Sequence, residues 1–528
     1  MVPSMSVTES ASSSESPSPP VPDGTSPVAP ERGQHLKAQS TSMEREVGVA
    51  LRNAVTVALS LLCTWSVALI VKFKLPRFLG PEHFGDLNFA DNFAGTFLGF
   101  IEFGFDIYIQ KEVSVRPQHA SDFLGGLLLF RTAAAAALVA LMLGVLRVND
   151  RPLDVQIAVA VFAAAYLVTS FNATFGTLLQ TSMRVGRFVV ANVLSKVVWG
   201  LGLVVCIAAR LPMAAFSVPL LVSELLRASI LLPAARSALA IDLRVDVGAV
   251  RRAIAASLPY FISNAAIAVS VRLPVSILEF LVTDKREVGW LGAAWNLGTL
   301  AMILFPLMQW IVTPMLARAR ARSDQEVFAI LRRALEGLLV VAMPVTLLIG
   351  LGAPLWVRLA FGPRYAQAAL PLMAIAPQFV FTYAAMILTI GLIILDRQWK
   401  ATQNALVSLA LTPLLIVAIV PVAKHLGEGG AAAGAASAVV LSEVVVSVAC
   451  LHQMGRGALD RRTTLAATKS LVVCLVVAVM HVALWRMGPL RLVLDLAVYV
   501  IAALGLGIVR FQDVRALVRM LRTRSARS

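Results

Sequence analysis

From residue 50 onward the chain is a succession of long apolar runs separated by short polar gaps. A helix rises ~1.5 Å per residue, so ~20 apolar residues cross the ~30 Å hydrocarbon core of a bilayer. About fourteen runs of that length lie between Ala50 and Val509. None alternates apolar and polar residues as a barrel strand does, so the backbone must be satisfied within helices. A hydrophobic content of 58% and a mean hydropathy of +0.80 exclude a soluble globule. The expected fold is therefore an all-α polytopic membrane protein with about 14 transmembrane helices.

Residues 1–45 differ from the rest: rich in Ser and Pro and poor in large apolar residues, they are expected to form a disordered cytoplasmic tail. They lack the basic-then-apolar order of a cleavable signal peptide. The net charge of +16 comes mostly from arginines in the gaps between spans, without the aromatic interleaving that stacks bases, so no nucleic-acid partner is expected. Alternate gaps are strongly basic, as in Arg236, Arg244, Arg251 and Arg252, or Arg318, Arg320, Arg322, Arg332 and Arg333. By the positive-inside rule those gaps and both termini are cytoplasmic. The four cysteines all sit inside apolar runs without CxxC spacing, and no nucleotide-binding loop of Walker type occurs, so neither metal nor cofactor is expected.

One charge interrupts this pattern where it costs most. Arg272 lies near the middle of the run from Ile254 to Val282. A guanidinium at bilayer mid-depth costs from ~2.5 kcal/mol upward, so Arg272 must face a bundle interior or a wet cavity. Asn264, Ala268, Arg272 and Ser276 recur every four residues and share one helical face, with Glu279 on roughly the same side. Two readings stand: an ion pair with Glu279 or a neighbouring span, or a cationic contact for an anionic cargo. In the second run Asn88, Asp91, Asn92, Glu102 and Asp106 form a polar stripe, and the fifth run carries Lys196 beside Trp199. Arg131 stands one to two turns into the third. Asp91, Glu102 and Asp106 are candidates for binding a driving cation or proton, or else counter-ions for the basic residues.

The second and eighth runs begin alike. Phe84-Gly85-Asp86-Leu87-Asn88-Phe89-Ala90-Asp91-Asn92 can be laid over Val288-Gly289-Trp290-Leu291-Gly292-Ala293-Ala294-Trp295-Asn296. Gly, Leu, Ala and Asn coincide, and an even number of spans separates the copies. A parallel duplication follows: two pseudo-symmetric six-helix lobes, residues 46–240 and 241–455, with a site between them. Two C-terminal helices (residues 456–512) and a basic cytoplasmic tail (513–528) complete the chain.

Three short motifs add a resemblance. The loop from Lys74 to Gly85, containing Arg77-Phe78-Leu79-Gly80 and then Phe84-Gly85, is similar to the first outer loop of bacterial polysaccharide-export flippases. These form the Wzx-type branch of the multidrug/oligosaccharidyl-lipid/polysaccharide exporter superfamily. Val288-Gly289 with Ala293-Ala294, and Phe361-Gly362 with Tyr365, Ala368 and Ala369, resemble two further motifs of that family. The resemblance spans roughly Arg45 to Val509. It implies flipping of an oligosaccharide on undecaprenyl pyrophosphate from the inner to the outer leaflet of the plasma membrane, through a cationic cavity. The partners implied are membrane lipid, the lipid-linked oligosaccharide and, as candidates, a polysaccharide polymerase or glycosyltransferases.

A pyrophosphate headgroup calls for Arg or Lys sheltered from water. Arg272 is the first candidate, with Lys196 and Arg131 facing it and Arg77 at the outer mouth. Asn92, Asn264, Trp295 and Asn296 would supply donors and an aromatic face for sugars. The chain departs from relatives that carry an acidic-basic pair in the seventh span: Val271-Arg272-Leu273 has no adjacent acid. Two rivals remain. A cation-coupled drug or metabolite antiporter of the same fold would favour cavity acids. A polytopic glycosyltransferase, polymerase or ligase would need a large outer loop, and every outer gap is short.

Overall fold

The computed structural model describes residues 31–101, 109, 120–181, 185–239, 246–302, 305–455 and 457–507. Two compact units divide the chain, Met1–Thr56 and Val57–Ser528. In the first, residues 31–56 are helical, although residues up to 45 were expected as a disordered tail; residues 1–30 lie outside the described residues. All that follows concerns the second unit.

Every regular element among the described residues is helical. Helix α1 (Glu31–Leu98) breaks at Gly80, whose φ of 73° favours glycine, and Pro81 starts the next segment at the position where a missing N–H costs nothing. Helices α2 (Ala120–Val148), α3 (Leu153–Thr181), α4 (Val185–Ala208) and α5 (Val218–Leu239) complete the N-terminal half. The C-terminal half holds α6 (Val247–Leu281), α7 (Lys285–Ala301), α8 (Phe305–Arg320), α9 (Asp324–Leu351), α10 (Ala353–Phe361) and α11 (Ala369–Ile375). It continues with α12 (Gln378–Ile394), α13 (Gln398–Ala423) and α14 (Gly430–Met454). Last come α15 (Arg461–Ala483) and α16 (Arg491–Gly505), which pack on each other and on α9.

Among the described residues ten helical stretches are long and apolar enough to cross a membrane. The four other expected spans fall on α1 either side of Gly80, on α6, and on α7 with α8, all helical. The ends of the runs were legible from composition. The break between α9 and α10 at Gly352 was not, because the apolar sequence continues through it.

Packing differs at the two ends of the bundle. On the face that carries Gly80, one core joins both halves: Phe84, Leu87 and Phe93 share it with Val288, Trp290, Leu291, Val357 and Tyr365. Toward the opposite face each half has a core of its own. In the N-terminal half Leu124, Leu127, Phe175 and Leu231 cluster; in the C-terminal half Leu316, Leu331, Ile387 and Leu392 do. The halves are therefore fused at the Gly80 face and part toward the other.

Helix termini on the Gly80 face are tied by side chains from neighbouring elements. Glu287, in the first turn of α7, accepts from the backbone N–H groups of Gly429 (2.7 Å) and Ala432 (2.8 Å) at the start of α14. Those are orphan donors at a helix N-terminus, and a carboxylate there also meets the positive end of the helix dipole. Because Glu287 is buried, Glu287→Ala should cost about 2–4 kcal/mol, read as a lowered melting temperature in detergent, with Glu287→Gln intermediate. At the other face Asp460 caps α15; the backbone N–H and hydroxyl of Thr463 hold its carboxyl below the usual carboxylate range.

Candidate functional site

The three motifs quoted from the sequence converge on the Gly80 face. Tyr365 donates to the Pro76 carbonyl (2.9 Å) and its ring meets Phe84 edge-on at 6.5 Å. Arg77 donates through Nε to the Ala360 carbonyl (2.5 Å) and through Nη2 to that of Leu359. Arg77 thus closes the last turn of α10, where carbonyls lack helical partners and a cation is favoured.

Beneath this layer the paired glycines of the repeat meet. A Cβ on Gly85 would lie 2.3 Å from the Lys285 carbonyl oxygen and 3.0 Å from the Gly289 nitrogen; one on Gly289 would lie 1.9 Å from the Pro81 carbonyl oxygen. One turn on, Asn88 sits against Gly292, its aligned counterpart. Like positions facing one another are what a near two-fold axis between the halves produces. Only glycine allows backbones this close.

An ionic cluster reinforces the junction. Arg151, in the loop between α2 and α3, donates to the Glu279 carboxylate (2.6 Å) and carbonyl (3.0 Å) on α6. Its guanidinium carbon lies 5.8 and 5.3 Å from the ring centres of Phe89 and Phe280. Lys285 reaches the same carboxylate oxygen, and Glu279 is 1% exposed. Arg151 comes from the N-terminal half, and Glu279 on α6 and Lys285 on α7 from the C-terminal half.

At mid-depth Arg272 crosses between the halves. It stands nine residues from the end of α6, ~14 Å along the axis, while Asp91 is ten residues past Pro81, ~15 Å. Both therefore lie near the centre of a ~30 Å slab. Arg272 donates through Nη1 to the Tyr166 hydroxyl (2.9 Å), and Tyr166 donates to Asp91 Oδ1 (2.5 Å). The guanidinium carbon is 4.8 Å from the Tyr166 ring centre, and the group lies flat on Gly95, where a Cβ would come within 2.3 Å of it. The arginine faces protein rather than acyl chains. Lys72 of α1 donates to the Thr299 hydroxyl of α7 (3.0 Å), a further tie between the halves.

The other candidates are placed as follows. Arg131 is 1% exposed and donates to the Ser170 carbonyl (2.6 Å) and Thr174 hydroxyl (2.7 Å) of α3. Lys196 lies 5.2 Å from the Trp199 ring centre, on its own helix in the N-terminal half. Asn92 donates to the Asn88 carbonyl (2.8 Å) one turn back. Trp295 and Asn296 are half-buried on α7, and Trp295 borders a crevice of about 40 Å³ with Thr299 and Phe379. Glu102, Asp106 and the Asn264 side chain lie outside the described residues. Glu279 pairs with Arg151 and Lys285, whereas the sequence had suggested Arg272. Missed altogether were Tyr166, Lys72 and Arg151. An aromatic in an apolar run and basic residues near span ends carry no periodic signal.

This fold is that of the multidrug/oligosaccharidyl-lipid/polysaccharide exporter (MOP) superfamily. It is similar to the lipid II flippase MurJ in an inward closed conformation, with a TM-score of 0.66 at 13% identity over 85% of this chain and 98% of that one. An inward-facing multidrug resistance MATE family transporter of the MOP superfamily matches at a TM-score of 0.62 and 14% identity, over 77% and 98% of the two chains. The outward-facing conformation of a MATE family transporter matches less closely, at 0.51 and 15% identity over 77% and 96%. No curated protein matches the chain. The family model for polysaccharide biosynthesis proteins matches residues 50–320, just over half of the 528 residues. The chain belongs to that family.

Proposed function

We propose that the protein flips a lipid-linked oligosaccharide, carried on undecaprenyl pyrophosphate, from the inner to the outer leaflet by alternating access. Residues 46–240 and 241–455 act as the two lobes, both termini are cytoplasmic, and the fused Gly80 face is the outer one. The observation that carries this reading is the Arg272–Tyr166–Asp91 bridge at mid-depth, below a sealed layer and above a region where the halves have separate cores. Similarity to a lipid II flippase and the family match support it.

The chemistry is an exchange of partners. In the closed protein Arg272 donates to a neutral phenol, a weak acceptor. A pyrophosphate offers several charged oxygens and matches the planar guanidinium with paired hydrogen bonds, which are roughly twice as strong. The headgroup would therefore draw Arg272 away from Tyr166. Asp91 would keep the Tyr166 hydroxyl and lose the nearby guanidinium, which leaves its carboxylate open to a coupling cation. Asp91 is thus our candidate for coupling, and Trp295 and Asn296 are candidates for the sugar.

Reconstituted protein supplied with a fluorescent polyprenyl-pyrophosphate oligosaccharide tests the proposal. Quenchable label should pass between leaflets with the protein present and stay in place in its absence. Movement of a cationic dye instead, without movement of the lipid, would favour an antiporter and reject the flippase.

A further inference from the structure

At the face opposite Gly80, a cleft of about 310 Å³ opens where α9, α15 and α16 meet, far from the Arg272 bridge. That volume is at the low end for ligand clefts. Arg461, Arg462, Lys469, Glu336, Leu465 and Gly507 line it. Three cations thus face one carboxylate. Arg462 pairs with Glu336 (3.2 Å), and Lys469 donates to the Leu506 carbonyl (3.0 Å), which leaves donors on the ammonium to spare. Arg461 has no ion-pair partner among the described residues.

The cleft does not end in water on every side. Leu465 and Lys469 head a stripe on α15 that continues through Val472, Val476 and Val479, at helical spacing along one face. These residues grow more exposed away from the cleft, from 48% at Leu465 to 70% at Val479. From Leu465 to Val479 is ~21 Å along the axis, more than the ~15 Å of hydrocarbon in one leaflet. A basic cleft at a helix end, continuous with an acyl-length apolar track, has the two-part chemistry of a phospholipid.

We propose that this cleft binds the phosphodiester headgroup of an anionic phospholipid from the adjoining leaflet, with Arg461 and Lys469 as the principal contacts and an acyl chain along the α15 stripe. The bound lipid would brace the α15–α16 pair against α9. The shared chemistry is a phosphate ester, so a soluble anion is the competing source.

The test uses the full-length protein, delipidated in detergent, with phosphatidylglycerol, phosphatidylcholine or glycerol phosphate added and bound molecules counted by native mass spectrometry. Phosphatidylglycerol should be retained, phosphatidylcholine should not, and millimolar glycerol phosphate should not displace the lipid. Arg461→Gln should weaken retention about fivefold and Arg461→Gln with Lys469→Gln about 25-fold, whereas Arg461→Lys should stay within about twofold. Melting temperatures of the variants without lipid control for folding. Retention unchanged in the double variant, equal retention of phosphatidylcholine, or full displacement by glycerol phosphate would each overturn the proposal. An acidic peptide that competes while the lipids do not would overturn it as well.

Discussion

Arg272→Ala should insert and melt like the parent protein, yet lose flipping of the lipid-linked oligosaccharide by about 30-fold or more. The side chain is not part of an apolar core: it lies against the Gly95 backbone and donates to the Tyr166 phenol, an uncharged partner that keeps its own bond to Asp91 when the guanidinium is removed. The loss falls on the cargo. An arginine–phosphate contact sheltered from water is a charge-assisted, paired interaction, and removing one partner of such a contact costs ~2–5 kcal/mol, or roughly 30- to 4,000-fold. Arg272→Lys should restore only part of the rate, because an ammonium is a point charge without the forked geometry. Flipping in reconstituted vesicles gives the rates, and a normal rate for Arg272→Ala removes Arg272 from the transport path.

Gly289→Ala should open the Gly80 face. The added methyl would lie 1.9 Å from the Pro81 carbonyl oxygen, a backbone atom that cannot rotate aside. Overpacking of this kind costs ~1–3 kcal/mol, and here the cost falls only on the state in which the halves touch. The equilibrium between closed and open should therefore move about 5- to 150-fold toward open. Arg151→Met should act in the same direction by breaking the Arg151–Glu279 tie across the junction. Spin labels at positions 82 and 426, in a cysteine-free background, report the separation of the halves. The expected result is a longer distance distribution in both variants together with slower flipping. An unchanged distribution would mean that the glycine contact is not what holds this face shut.

The sequence carried the fold further than the site. Membrane-length runs need only composition, and the depth of Arg272 needs only counting, so both were legible. The Gly85–Gly289 match was legible too, because a position that must sit against its own counterpart tolerates one residue type. Partners were harder. Spacing assigned Arg272 and Glu279 to one helical face, but it cannot say which neighbour packs there; Tyr166 and Arg151 come from loops and helices more than a hundred residues away. Arg131 is a similar case, since its position one to two turns into a span does not disclose that Ser170 and Thr174 accept its hydrogen bonds.

The most direct measurement is a structure with a polyprenyl-pyrophosphate oligosaccharide bound. The account predicts phosphate oxygens within hydrogen-bond distance of the Arg272 guanidinium, with the link from Arg272 to Tyr166 broken and Tyr166 still on Asp91. Headgroup density elsewhere, with the Arg272–Tyr166–Asp91 bridge intact, would contradict it.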